Sequence, residues 1–210
     1  MTKIILENCG KNYHRTWLFR NVNFEFDVAP GNSLAILGDN GSGKSTFTLL
    51  LTRQIEPTEG TILWQDVKPN NVFQHYALSS PSMEMPEELT LQEWFEFENN
   101  IKPFYKDINL DSIIDLCQFP SKVKTKSINN FSSGMKQRVK LCHSILCDAP
   151  LSILDEPLSN LDQKGIELYS SLIGEYQSKK CIVVASNRLD EYHFCKKTIT
   201  IKDGQLLTSV

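Results

Sequence analysis

No apolar run in the 210 residues approaches the roughly 18 needed to span a bilayer, so no membrane-crossing helix is expected. The start, Met1 to Leu6, meets a carboxylate at Glu7 before an apolar targeting core could form, and the chain reads as cytoplasmic. Neither sign of charge is in surplus. The 22 Lys and Arg stand against 25 Asp and Glu, which gives no support to nucleic acid or anionic lipid as the main partner. Internal repeats, low-complexity tracts and heptad runs are missing. Cys9, Cys117, Cys142, Cys147, Cys181 and Cys195 form no Cys-x-x-Cys pair and no zinc-type spacing with His, so they read as small buried thiols in a reducing compartment.

What is present is an ordinary globular composition, 40% hydrophobic and 22% charged, long enough to bury a real core. Ile4 to Leu6, Val22 to Val28, Ser33 to Leu37 and Gly60 to Trp64 read as strands, and Lys44 to about Arg53 as a helix. From about residue 79 to 147 the pattern turns helical. Segments Leu91 to Phe97 and Leu110 to Cys117 stand apart, and Met135, Val139, Cys142 and Leu146 recur at helical steps on one face. Strand and helix then alternate again through Leu151 to Leu154, the face Ile166, Tyr169, Ile173 and Tyr176, and the continuously apolar run Cys181 to Ser186. Asp203-Gly204 between Thr198 to Ile201 and Gln205 to Leu207 signals a hairpin. The expected organisation is an α/β core over residues 1–78 and 148–210, with a helical subdomain inserted at 79–147.

The spacing Gly38-Asp39-Asn40-Gly41-Ser42-Gly43-Lys44-Ser45-Thr46 is that of a nucleoside-triphosphate loop. Glycines let the backbone turn so that successive N–H groups face the phosphates, and the helix that follows adds its positive end. Lys44 is expected to reach the β- and γ-phosphates and the Ser45 hydroxyl to ligate Mg²⁺. Downstream, the apolar run Leu151 to Leu154 delivers Asp155 and Glu156 at a strand's carboxyl end, where ligands sit in open α/β sheets. Asp155 would hold Mg²⁺. Glu156, facing the other way, would polarise the water that attacks the γ-phosphate.

With both halves in place the chain resembles an ATP-binding cassette (ABC) ATPase along nearly its whole length. Phe131-Ser132-Ser133-Gly134-Met135-Lys136-Gln137-Arg138-Val139 is similar to the family signature, and Leu158-Ser159-Asn160-Leu161-Asp162 to its D-loop. The resemblance implies a P-loop NTPase (RecA-like) core with an amino-terminal antiparallel β-subdomain and an inserted α-helical subdomain. It also implies ATP and Mg²⁺ as cofactors and two chains paired head to tail around two ATP. Ser132 and Gly134 would then act on the second chain's γ-phosphate, and Asp162 would couple the two sites. An aromatic that stacks on adenine is expected about where Tyr13 lies, with Trp17 a nearby competitor. Four positions depart from the family pattern: the signature's second Gly and its Gln are replaced by Ser133 and Met135, and two more lie elsewhere. The family's other glutamine falls at Ser79 in one register or at Gln74 in another, which makes Ser79 the metal-side candidate. Its switch histidine is replaced by Asn187, which can donate a hydrogen bond to the γ-phosphate but carries no charge.

The nearest likeness is to the compact cassettes of small bacterial exporters, such as the heme-exporter ATPase, with an integral-membrane subunit as partner at the inner face of the membrane. A soluble cassette of DNA repair or translation, and a non-hydrolysing ATP-gated interaction module, are the alternatives.

Overall fold

The structure, a computed structural model, describes residues 2–209. Strands β1 (Thr2–Tyr13), β2 (Thr16–Val28) and β4 (Glu59–Trp64) form an antiparallel sheet in the order β2-β1-β4. β1 and β2 are longer than their apolar segments suggest. They pair as far as Tyr13↔Thr16 across His14 and Arg15, both at positive φ, so two residues without glycine or asparagine make the tight turn. Asn8 and Asn21, also at positive φ, lie where the register shifts, and these irregularities break the alternation that would have announced a long hairpin.

The second sheet has six strands in the order β5-β6-β7-β3-β8-β9. β3 (Ser33–Leu37), β5 (Tyr76–Ser79), β6 (Leu151–Asp155), β7 (Cys181–Ala185) and β8 (Lys197–Lys202) run parallel, and β9 (Gln205–Ser209) returns antiparallel through Asp203-Gly204. β6 and β7 are buried on both faces, which is why their sequences are almost unbroken apolar runs. Ile153 and Val183 pack toward the antiparallel sheet and helix α1 (Lys44–Leu51), while Leu154 and Val184 pack toward the helices on the other side.

Those helices are α2 (Leu91–Ile101), α3 (Leu110–Leu116), α4 (Ser133–Leu146) and α5 (Gln163–Tyr176), with the short α6 (Leu189–Tyr192) after β7. Thr90 with Glu93 and Asn109 with Ser112 close capping boxes on α2 and α3. The inserted helical segment shares one continuous apolar core with the sheet. Trp94, Met85 and Phe104 belong to the same cluster as Ala77, Leu154 and Val184. Helix α4 makes the join: Ser144 Oγ donates to the Ala77 carbonyl at 3.3 Å, and Ser152 Oγ donates to the Ser144 carbonyl at 2.5 Å. Phe97 and Ile101 on α2 are exposed, whereas Met85 is buried.

Lys180 closes the other end of α4. It is 1% exposed, and its ammonium donates to the carbonyls of Ser144, Ile145 and Cys147 at 3.3, 3.1 and 3.0 Å. These are last-turn carbonyls that have no partner within the helix. Replacing Lys180 with Met keeps the packing and strands two buried acceptors, the carbonyls of Ile145 and Cys147, since Ser144 keeps the Ser152 hydroxyl. We expect a loss of about 2–4 kcal/mol, read from the urea midpoint at unchanged slope.

Candidate active site

The phosphate loop leaves the carboxyl end of β3 at the point where the chain order of the sheet reverses, with β7 on one side and β8 on the other. Gly38 has φ 146°, and a Cβ there would stand 2.5 Å from both the Ile201 carbonyl and Ser42 Oγ. Gly43, at φ 106°, precedes α1 and lies against Leu18 and Phe19 of β2, so the antiparallel sheet supports the loop from outside. Lys44 is buried. Its ammonium donates to the carbonyls of Gly38 at 2.7 Å and Asp39 at 3.3 Å, folded across the mouth of its own loop.

Asp155 ends β6 and is 3% exposed. One carboxylate oxygen, Oδ2, accepts from Ser80 Oγ at 3.3 Å; the other, Oδ1, is buried with no hydrogen-bond partner. Burial raises the Asp155 pKa above its ordinary value; the Ser45 hydroxyl opposes the shift and the neighbouring Glu156 charge adds to it. Asp155, Ser45 and Ser80 line one cavity of about 400 Å³. A carboxylate oxygen lacking a partner beside two hydroxyls is a donor set suited to a hard, oxygen-seeking cation.

Glu156 is exposed and sits at φ 45°, a conformation uncommon for a residue with a side chain. Its N–H donates to the Ala185 carbonyl at 2.9 Å, which fixes the turn. The turn separates the two acids: Glu156 lines a different cavity, of about 330 Å³, with Asn40, Ser186 and Asn187. Asn187 clips the start of the phosphate loop at two points. Its Oδ1 accepts from the Gly38 N–H at 3.3 Å and its Nδ2 donates to Asn40 Oδ1 at 3.4 Å.

The serine whose hydroxyl reaches Asp155 is Ser80, not Ser79. In the parallel register Ser79 faces Leu154, so the next residue meets Asp155. Ser79 Oγ is buried without a partner and takes no part in the Asp155 contact. Gln74 lies in the 3₁₀ helix Pro69–His75 before β5 and does not line the Asp155 cavity. The sequence missed this by one residue because four-residue β5 is too short to show where its pairing begins.

None of the signature residues lines the Asp155 cavity. Ser132 caps α4, its hydroxyl accepting from the Met135 N–H at 3.2 Å. Gly134 lies against the D-loop, where a Cβ would stand 2.9 Å from the Asn160 carbonyl. Asp162 caps α5 through the Gly165 N–H at 3.0 Å and pairs with Arg138; the cap and that pair hold its pKa below the ordinary value. Glu191, which sequence reasoning did not single out, is 1% exposed and accepts from the Leu158 N–H at 3.0 Å, anchoring the start of the D-loop. Tyr13 is exposed at the tip of the β1–β2 hairpin with the Lys11 ammonium 5.3 Å from its ring centre. Trp17 is half-buried, with the Arg20 guanidinium 4.4 Å from its ring and Arg20 paired to Glu59, so Tyr13 offers the freer face.

A phosphate loop at a switch point of a parallel sheet, an acidic pair on the adjoining strand and a serine-capped helix outside that cavity define a nucleotide-binding cassette. A family model described as "ABC transporter" matches residues 21–159. The chain belongs to that family, as an ATPase-type, ATP-binding domain. It is 31% identical to ABC transporter I family member 1 of Arabidopsis thaliana over 98% of this chain and 86% of that protein. It is 30% identical to the uncharacterised ABC transporter ATP-binding protein YcbN of Bacillus subtilis over 100% of this chain and 70% of that one. The fold superposes at a TM-score of 0.78 and 21% identity, over 97% of this chain and 96% of the other, on a dimeric ATP-binding cassette in a post-hydrolysis state bound to ADP and Pi. None of the described helices is long and apolar enough to cross a membrane.

Proposed function

We propose that this chain binds ATP with Mg²⁺, hydrolyses it in a head-to-tail homodimer, and drives a separate integral-membrane subunit from the inner face of the membrane. The observation that carries the reading is the buried, unpartnered Oδ1 of Asp155 between the hydroxyls of Ser45 and Ser80 at the foot of the phosphate loop. Ser45, Asp155 and Ser80 would hold Mg²⁺, whose chemistry is to offset charge on the β- and γ-phosphate oxygens. Asp39 to Thr46 cradle the phosphates by backbone N–H groups, with Lys44 moving from the loop carbonyls to the phosphates. Glu156 orients the attacking water and accepts its proton, and Asn187, already at the loop, donates to the γ-phosphate. Tyr13 stacks on the base.

Ser132 and Gly134, at the amino end of α4, are suited to the γ-phosphate of the second chain's ATP, since they contribute nothing to the cavity of their own. Asp162 would link the two sites. In this reading residues 1–78 and 148–210 carry the nucleotide and 79–147 present the signature. Steady-state hydrolysis by the purified chain, with Mg²⁺ and with chelator, tests it. We expect Mg²⁺-dependent release of phosphate with a specific rate that rises with protein concentration, as a shared site requires. ATP binding without hydrolysis at high protein concentration would favour the ATP-gated module instead.

A further inference from the structure

Helix α4 presents a polar stripe, Ser133, Lys136, Gln137, Lys140 and Ser144, along the exit from β5. Lys140 is its least expected member. It is 5% exposed, and its ammonium donates to the Ser80 carbonyl at 2.7 Å and the Met83 carbonyl at 3.2 Å. An apolar side chain would fill this place without the cost of burying a cation. What the ammonium adds is a hold on one loop. That loop begins with Ser80, whose hydroxyl touches Asp155, and it is tied to α4 again by the Lys136–Glu87 ion pair.

The same turns of α4 grip the opposite loop. Gln137 Nε2 donates to the Pro157 carbonyl at 3.0 Å, directly after Glu156, and Arg138 pairs with Asp162 while donating to the Cys117 carbonyl at 2.9 Å. The helix that offers Ser132 outward is therefore fastened to both loops flanking the acids of its own chain.

We infer that Lys140 is a positioning residue: through Ser80 it fixes the signature helix relative to Asp155, so that occupation of one chain's phosphate site sets the helix end that its partner's ATP meets. The inference rests on the shared-site reading above. Its role is coupling rather than contact with nucleotide, and a coupling claim needs a cycle of variants.

The test uses the Glu156→Gln chain, so that ATP is not consumed. ATP·Mg²⁺ affinity is measured by fluorescence at low protein concentration, and the ATP-dependent dimer constant by sedimentation. Adding Lys140→Met should leave ATP affinity within about threefold and weaken the dimer about tenfold or more, a usual size for coupling between sites. Lys140→Arg, which keeps the cation, should recover most of the loss. Ser80→Ala, which cuts the same relay without touching the helix, should weaken the dimer in the same direction, and the double variant should be no worse than the stronger single one. Undiminished dimers in Lys140→Met, or losses that simply add, overturn the role of Lys140 while leaving the shared site standing. If the Glu156→Gln parent binds ATP and stays monomeric, the shared-site reading falls and this inference with it.

Discussion

Glu156→Gln should bind ATP as the parent chain does and lose roughly 10²–10⁴-fold in turnover, the contribution of a positioned base. That is a barrier increase of about 3–5 kcal/mol. The change keeps the shape of the side chain, and the backbone features of the position do not depend on the carboxylate: the N–H bond to Ala185 and the positive φ both stay. The side chain is exposed and faces a cavity shared with Asn40 and Asn187, so folding should tolerate the exchange. The readouts are nucleotide affinity by fluorescence and phosphate release at saturating ATP. Turnover within a factor of about two of the parent would remove Glu156 from the reaction.

Asp155→Asn should separate stability from activity in the opposite sense. Turnover is expected to fall roughly 10²-fold or more, with loss of the Mg²⁺ enhancement of ATP binding, because the amide no longer offers a charged oxygen to the cation. The nucleotide-free protein should become more stable. Asp155 holds a buried carboxylate with one oxygen unpartnered, and burial raises its pKa. For such a group the folded chain binds the proton more tightly than the unfolded one. Its effect on stability is therefore nil or favourable in acid, and stability is lost as pH rises through the folded pKa. At neutral pH the substitution removes that penalty, about 1 kcal/mol or more, which raises the melting temperature by about 2–4 °C for a chain of this size. The gain should shrink toward zero as the pH falls below the ordinary Asp range. A variant less stable than the parent at neutral pH would mean that Asp155 is not held there at a cost.

Much of this architecture was legible before the coordinates. The phosphate loop could be read because its spacing is local: every residue proposed to cradle the phosphates lies within Gly38 to Thr46, and glycines mark the turns. β6 and β7 could be read because strands buried on both faces leave continuous apolar runs. The β1–β2 hairpin was underestimated, since its turn uses His14-Arg15 and its bulges fall at Asn8 and Asn21. That Ser80 and not Ser79 touches Asp155 was hidden for a related reason. Which serine meets Asp155 depends on the register between β5 and β6, and those strands are separated by the whole helical segment. Lys140, Gln137 and Glu191 were silent in the sequence because a polar residue on a helix reads as solvent-facing until tertiary structure buries it. The inserted helical segment is visible as a change of pattern, while its packing onto the sheet through α4 is not, because those contacts are long-range.

Lys44 carries one more implication. Its ammonium is already out of bulk water, held by two carbonyls of the loop it serves. Dehydration of the cation is thus completed during folding, and on the proposed reading phosphates would exchange one set of oxygens around it for another. The loop is held in shape by its own lysine acting as an internal counter-ligand, a template instead of a collapsed turn.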